Sequence, residues 1–130
     1  MMSATGVGAD GVVVSIPAQS GYLSLCRVNA SAIGAMLGFG VDALDDLRLA
    51  VTEAVTWSLE SAEPGTRMEL TVSGVDGTLH FAVVAQASEA ASADIDDLAS
   101  AILGAMVDEF STELEGGRSR LAFTKSSSSE

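Results

Sequence analysis

The chain has 130 residues, a length that suits one domain with one hydrophobic core. Six Lys and Arg against eighteen Asp and Glu leave a formal charge of −12, which disfavours binding to nucleic acid or to an anionic membrane. Cys26 is the only cysteine, which excludes an intrachain disulfide or a cysteine-based metal cluster and predicts a reducing, cytoplasmic location.

The two ends differ in composition from the rest of the chain. Residues 1–11 are small and glycine-rich, and residues 126–130 are low in complexity, so we predict flexible tails around a single domain over residues 12–125. The N-terminus lacks a signal-peptide pattern, and no stretch approaches the ~20 apolar residues of a membrane span. The β-branched run Val12 to Ile16 stops at Pro17 and predicts an edge strand.

A first helix is predicted from an N-cap at Ser20 to about Phe39, where Gly38 and Gly40 end it. Arg27 lies on the side expected to face solvent or a partner. The side expected to face the core carries Tyr22, Cys26, Asn29, Ile33 and Leu37.

The longest helical pattern runs from Asp42 to Ala62. One stripe of this helix is apolar and is predicted to pack on a sheet; it contains Leu44, Leu47, Val51, Ala54, Val55 and Leu59. The opposite stripe mixes acidic, aliphatic and indole side chains; it contains Asp46, Leu49, Ala50, Glu53, Trp57 and Glu60. Such a mixture is neither a plain solvated face nor a plain core face, so we expect the functional residues there.

The second half of the chain predicts two hairpins around a third helix. Met68 to Ser73 and Thr78 to Ala87 read as strands joined by a turn at Gly74 to Gly77, because Asp-Gly supplies the positive φ angles of a hairpin. His80 falls on the solvent side of its strand and is assigned no role, and no metal site is expected.

The third helix is predicted over Asp94 to Phe110, followed by strands at Ser111 to Leu114 and Ser119 to Thr124 around a turn at Glu115 to Gly117. The residues expected to be buried on this helix are Leu98, Ile102, Ala105, Met106 and Phe110. The order β, α, α, β, β, α, β, β predicts an α+β two-layer sandwich, with helices on one face of a mainly antiparallel sheet.

The run LRLAVTEAVTWSLESA resembles the segment R-L-A-V-x-E-A-x-x-N-x-x-x-H-A of the RsbW-type anti-sigma factor kinases, in the GHKL superfamily of ATP-binding domains. The resemblance implies the GHKL sandwich, and in that family the glutamate is the base of a Ser/Thr kinase and the asparagine holds the metal on ATP. Glu53 matches the glutamate, whereas Trp57 stands at the asparagine position. An indole has one N–H donor and no oxygen for Mg²⁺.

The other parts of the family's nucleotide site are also altered. The aspartate that reads adenine falls at Ala85 or Ala87, and Asp97 lies where helix-start glycines admit phosphate. Gly117 and Ser119 keep the last part, a Gly followed by Ser or Thr, only loosely. The resemblance therefore implies a degenerate, actinobacterial-like member, with no cofactor unless the chain is an active kinase that uses ATP and Mg²⁺.

Three functions remain open. The favoured hypothesis is an anti-sigma factor that sequesters an alternative sigma factor, is opposed by a STAS-type anti-anti-sigma antagonist, and forms a homodimer through its sheet or an edge strand. In that family an arginine like Arg27 lies on the partner surface. The alternatives are an active kinase that phosphorylates the anti-anti-sigma factor through Glu53, and a GHKL-like module with another protein partner.

Overall fold

The computed structural model describes residues 11–127, which form three α-helices and five strands in the predicted order. The elements are β1 Val12–Pro17, α1 Leu23–Met36, α2 Val41–Ser61, β2 Arg67–Val75, β3 Thr78–Gln86, α3 Asp97–Met106, β4 Glu109–Glu115 and β5 Arg118–Ser126. The predicted flexible tails fall mostly outside the described residues, but Ser126, expected to begin the C-terminal tail, ends β5. None of these helices is both long and apolar enough to cross a membrane.

The strands form one antiparallel sheet in the order β1-β2-β3-β5-β4. The predicted edge position of β1 is therefore confirmed, and β4 forms the other edge. The β2–β3 hairpin turns at Asp76 and Gly77, whose φ angles of 52° and 79° are those that an Asp-Gly turn supplies.

The core lies between the helices and one face of this sheet. Four inward-facing residues of β3 are buried: Leu79, Phe81, Val83 and Ala85. Phe81 stacks on Phe123 of β5 with ring centroids 4.7 Å apart. His80 points to the opposite, exposed face. The predicted α+β two-layer sandwich is thus confirmed.

Helix α2 lies between the other two helices and buries more than the predicted stripe. Ala50 and Trp57, expected on its less apolar side, are both buried, because α1 packs along one flank of α2 and α3 along the other. Leu44 and Leu59 at the margins of the predicted stripe are only half-buried. A helix with neighbours on both flanks has little surface left for solvent, which explains the mixed stripe.

The first helix is shorter than predicted at both ends. Ser20 begins a short 3₁₀ turn, Ser20–Tyr22, and α1 starts at Leu23 without any side-chain cap. The helix ends at Met36, and Gly38 then adopts a φ of 89°, as a residue just beyond a helix end commonly does. Phe39 has left the helix and is buried in the core.

The third helix is shorter than predicted, and its buried side was only partly correct, because Ile102 and Met106 are half-buried whereas Leu98 and Ala105 are exposed. It spans Asp97–Met106, because the Oδ1 of Asp96 accepts a 2.8 Å hydrogen bond from the N–H of Ala99 and fixes the N-terminus there. Leu98 is 72% exposed, and the buried positions are Ala99 and Leu103. The predicted Phe110 lies in β4 instead, and Ala105 is exposed.

Candidate functional site

Four of the predicted nucleotide-site positions meet at one end of the sheet. Ala85 of β3 pairs with Ser119 of β5, and the N–H of Ala87 donates to the carbonyl of Gly117 at 2.8 Å. Ala62, just after α2, forms a bridge with Ala87, so the C-terminal end of α2 reaches the same place. Ala85 is buried on the helix side of the sheet and presents only a methyl group there.

Trp57 occupies the space between α2 and the segment that joins β3 to α3. Its side chain is 7% exposed, and its Nε1–H donates a 2.8 Å hydrogen bond to the backbone carbonyl of Asp94. The only polar atom of the indole is therefore already paired within the chain. Glu53 lies one helical turn before Trp57, is half-buried, and makes no ion pair or hydrogen bond with any residue in 11–127.

Residues 87–96, which connect β3 to α3, are held at several points; we call them the connecting segment. The N–H of Ser88 donates to the carbonyl of Ser61 at 2.8 Å, and Thr112 Oγ1 donates to the carbonyl of Ala93 at 2.7 Å. The connecting segment is thus tied to α2 and to β4, in addition to its contact with Trp57. Asp97 follows it as the exposed first residue of α3.

Two serines are fully buried, one in α2 and one in β5. Ser58 and Ser119 are each 0% exposed, and neither hydroxyl has a hydrogen-bond partner among the described residues. A buried hydroxyl without a partner costs on the order of 1–3 kcal/mol. Ser119 was predicted at the site, but Ser58 was missed. Its signal in the sequence was a polar residue four positions after Ala54, on the apolar stripe of α2.

The residues present do not fit a metal-bridged nucleotide. Trp57 offers no ligand oxygen, and the described part of the chain has no group of three or more His, Cys, Asp or Glu side chains placed to hold a metal. Neither Ala85 nor Ala87 has a side-chain acceptor for an adenine amino group. The carboxylates of Asp96 and Asp97 also surround the helix start where phosphate would need positive potential.

Arg27 lies at the seam between α1 and α2, and is half-buried rather than fully exposed as the sequence suggested. Its Nη1 donates to Oγ1 of Thr52 at 3.2 Å, and its Nη2 donates to Oγ of Ser24 at 3.2 Å. Thr52 in turn donates to the carbonyl of Arg48 at 2.9 Å. Among residues 11–127, no carboxylate lies within ion-pair distance of Arg27. Thr52 was missed, because a threonine inside a helix gives no sign of its partner across the seam.

Comparison with known proteins shows that the chain is similar to one class of protein. It is 39% identical over 56 residues to a serine-protein kinase RsbW of Listeria monocytogenes, across 43% of this chain and 36% of the relative. It is 33% identical over 54 residues to the RsbW kinase of Bacillus subtilis, across 42% of this chain and 34% of the relative. These alignments span about a third of the relatives' length. No protein-family model matches.

Comparison of the structure with solved structures shows a similarity that covers more of the chain than the sequence alignments do. The crystal structure of the RsbU and RsbW domains of Rv1364c from Mycobacterium tuberculosis matches with a TM-score of 0.67 at 16% identity. The match covers 89% of this chain and 32% of that chain. The resemblance expected from the central helix is therefore confirmed: this chain is similar to the RsbW-type proteins of the GHKL superfamily in part of its sequence and in most of its fold.

Proposed function

We propose that this chain is an anti-sigma factor that binds and sequesters an alternative sigma factor through surface contact, with a degenerate nucleotide site. The similarity to RsbW kinases supports the class of function. The loss of nucleotide binding is supported mainly by Trp57. This residue stands at the position of the family's metal-binding asparagine, is buried, and donates its N–H to the carbonyl of Asp94. Such a protein regulates transcription by competition between its partners. A STAS-type anti-anti-sigma factor is the expected antagonist, and a homodimer is the expected assembly.

The buried position of Trp57 argues against an ATP-dependent kinase. A nucleotide would have to displace an indole, which buries on the order of 150–250 Å² of surface, and would break the Trp57–Asp94 hydrogen bond. Its adenine would then face the methyl groups of Ala85 and Ala87, and its phosphates would face the negative charge of Asp97. Each of these weakens a different part of nucleotide recognition, so restoring one of them is not expected to restore binding.

The alternative of an active kinase rests on Glu53. Its carboxylate is half-buried, has no partner among residues 11–127, and lies one turn from Trp57, so it is free to accept a hydrogen bond from a substrate hydroxyl. In this alternative Glu53 would accept the proton of a serine hydroxyl of the anti-anti-sigma factor, and ATP would supply the phosphoryl group and leave as ADP. The third alternative, a GHKL-like module with another protein partner, shares the fold and differs in what it binds.

Two measurements test the proposal. Titration calorimetry with Mg-ATP is expected to show no binding in the micromolar range, with the Bacillus subtilis RsbW kinase run in parallel as the positive control. Purified alternative sigma factors from the source genome are then titrated into the protein, and at least one is expected to bind stoichiometrically. Transfer of labelled phosphate to an anti-anti-sigma serine would favour the kinase, whereas no sigma-factor binding would favour the third alternative.

A further inference from the structure

Helix α3 exposes an apolar side to solvent, although its other side packs in the core. Leu98 is 72% exposed, and Ala101 and Ala105 are exposed as well. Steps of three and four residues place these three side chains on one side of the helix. Asp97, at the first position, is the only charged residue of α3. A surface helix that is apolar on its exposed side as well as on its packed side is typical of a binding site.

The chain around this helix is acidic. Residues 49–66, which include most of α2, and residues 87–108, which include the connecting segment and α3, contain eight Asp and Glu and no Lys, Arg or His. The only ion pair in the described part of the chain joins Arg48 to Asp45, outside both ranges. Lys125 reaches only the C-terminal end of α3, where it is buried and donates to a backbone carbonyl. No described cation therefore neutralises the carboxylates near the start of α3, and their charges add to a negative surface potential.

Trp57 holds the acidic residues of α2 beside those of the connecting segment. Its Nε1–H donates to the carbonyl of Asp94 at 2.8 Å, and Glu53 and Glu60 lie one helical turn before and after it on the same side of α2. The side chains of Glu60, Asp94 and Asp97 are exposed. Because the backbone that carries these carboxylates is fixed, the surface is organised before a partner binds, which lowers the entropic cost of binding.

We propose that this side of α3 is a docking surface for a cationic amphipathic helix of the sigma factor, of the kind with which a DNA-binding protein contacts phosphate. We call it the α3 surface, and it consists of Leu98, Ala101, Ala105, Glu60, Asp94 and Asp97. Apolar side chains of the partner helix pack on the leucine and the two alanines, and its Lys and Arg side chains pair with the three carboxylates. The sigma factor is then sequestered because the helix that it needs for promoter contact is covered.

This inference rests on the proposed function and adds to it the part of the sigma factor that is bound. Helices α1 and α3 pack on different flanks of α2, so the α3 surface is separate from the partner surface expected around Arg27. The charge of the α3 surface also disfavours other classes of occupant. A second copy would bring carboxylates against carboxylates, and nucleic acid or an anionic membrane would be repelled.

The charge of the α3 surface is tested with two triple variants that change the net charge of the chain equally. The first removes three charges from the α3 surface, by Glu60→Gln, Asp94→Asn and Asp97→Asn. The control removes three charges from edge strand β4, by Glu109→Gln, Glu113→Gln and Glu115→Gln. With a sigma factor that binds the parent, the first variant is expected to raise Kd at least tenfold at low salt, and the control less than threefold. The Kd of the first variant should also rise less steeply with salt than that of the parent.

The apolar part of the α3 surface is tested with Leu98→Ala. Val75→Ala, at the exposed end of β2, is the matched control. Leu98→Ala is expected to raise Kd at least fivefold and Val75→Ala less than twofold. Circular dichroism, thermal unfolding and light scattering verify that all four variants keep the fold and the mass of the parent.

Hydrogen exchange of the sigma factor identifies the segment that is bound. The amides of its cationic, DNA-contacting helix are expected to exchange more slowly in the complex than in the free sigma factor. Protection confined to other parts of the sigma factor would overturn the inference.

The outcomes separate this inference from the function on which it rests. If no sigma factor binds the parent, the proposed function fails and the inference fails with it. If a sigma factor binds and the two triple variants raise Kd equally, the function stands, but the α3 surface contributes only net charge and the inference is overturned. A parent dimer that Leu98→Ala converts to a monomer would assign the α3 surface to a second copy and would also overturn it.

Discussion

The indole N–H of Trp57 and the backbone carbonyl of Asp94 lie 2.8 Å apart and join the central helix to the connecting segment before α3. Thr112 holds the adjacent carbonyl of Ala93 from the other side. The Trp57 side chain is thus part of the packing between these two elements, so removing it should lower the free energy of unfolding.

Trp57→Phe and Trp57→Ala separate the hydrogen bond from the aromatic packing. Trp57→Phe removes the N–H and leaves the Asp94 carbonyl without this donor, which should lower the free energy of unfolding by about 1–2 kcal/mol. Trp57→Ala also leaves a cavity and should cost about 3–5 kcal/mol. Urea denaturation followed by circular dichroism measures both. Leu98→Ala, at a 72% exposed position, is the control and should stay within about 0.5 kcal/mol of the parent.

Arg27→Glu should weaken sigma-factor binding by more than about 1 kcal/mol, because it replaces a positioned cation with an anion on the proposed partner surface. The free energy of unfolding should fall by no more than about 1 kcal/mol, since the half-buried guanidinium makes two long side-chain hydrogen bonds. Arg118→Glu, on the exposed face of the sheet, is the matched control, and Trp57→Asn should affect binding less than Arg27→Glu. If Arg27→Glu binds like the parent, the exposed surface around Leu49 becomes the better candidate.

The protein should be a homodimer, with a mass in light scattering of twice 13.2 kDa. Arg67 distinguishes the two routes to this dimer, because its guanidinium donates to the Oγ and the carbonyl of Ser15 in edge strand β1, each at 2.9 Å. Arg67→Ala should strengthen a dimer joined through β1 by freeing that carbonyl, and leave a dimer joined through the sheet face unchanged. A monomer mass at high concentration would contradict the prediction.

Cys26 should react slowly with thiol reagents at neutral pH, because burial raises the pKa of its thiol above the ordinary value. A raised pKa in the folded state means that the unfolded chain loses its proton first. Stability from this group is therefore complete below about pH 8.5, where an unfolded cysteine ionises, and falls as the pH rises from there through the folded pKa. Cys26→Ala should remove this part of the alkaline loss in urea titrations at pH 7 and pH 10. Rapid alkylation of the folded protein at pH 7 would show that the thiol is accessible.

Local sequence determined the elements of this fold wherever one residue type favours a single backbone geometry. Asp76-Gly77 fixed the first hairpin because only such pairs readily adopt two positive φ angles, and Gly38 ended α1 for the same reason. The apolar period of Leu47, Val51 and Ala54 correctly identified the side of α2 that faces the sheet. The motif around Glu53 indicated the fold family, and Trp57 at its asparagine position predicts an altered nucleotide site.

Only the tertiary structure decided which polar groups meet, because such pairs join residues far apart in the chain. Trp57 bonds a backbone carbonyl 37 positions away, and Arg27 bonds a threonine 25 positions away, and neither partner has a sequence signature. The flanking helices buried Ala50 and Trp57, which periodicity alone had placed on the mixed side of α2. The starts of α1 and α3 were likewise found only in the structure, at a 3₁₀ turn and at the Asp96 cap, since several nearby residues were equally able to begin each helix.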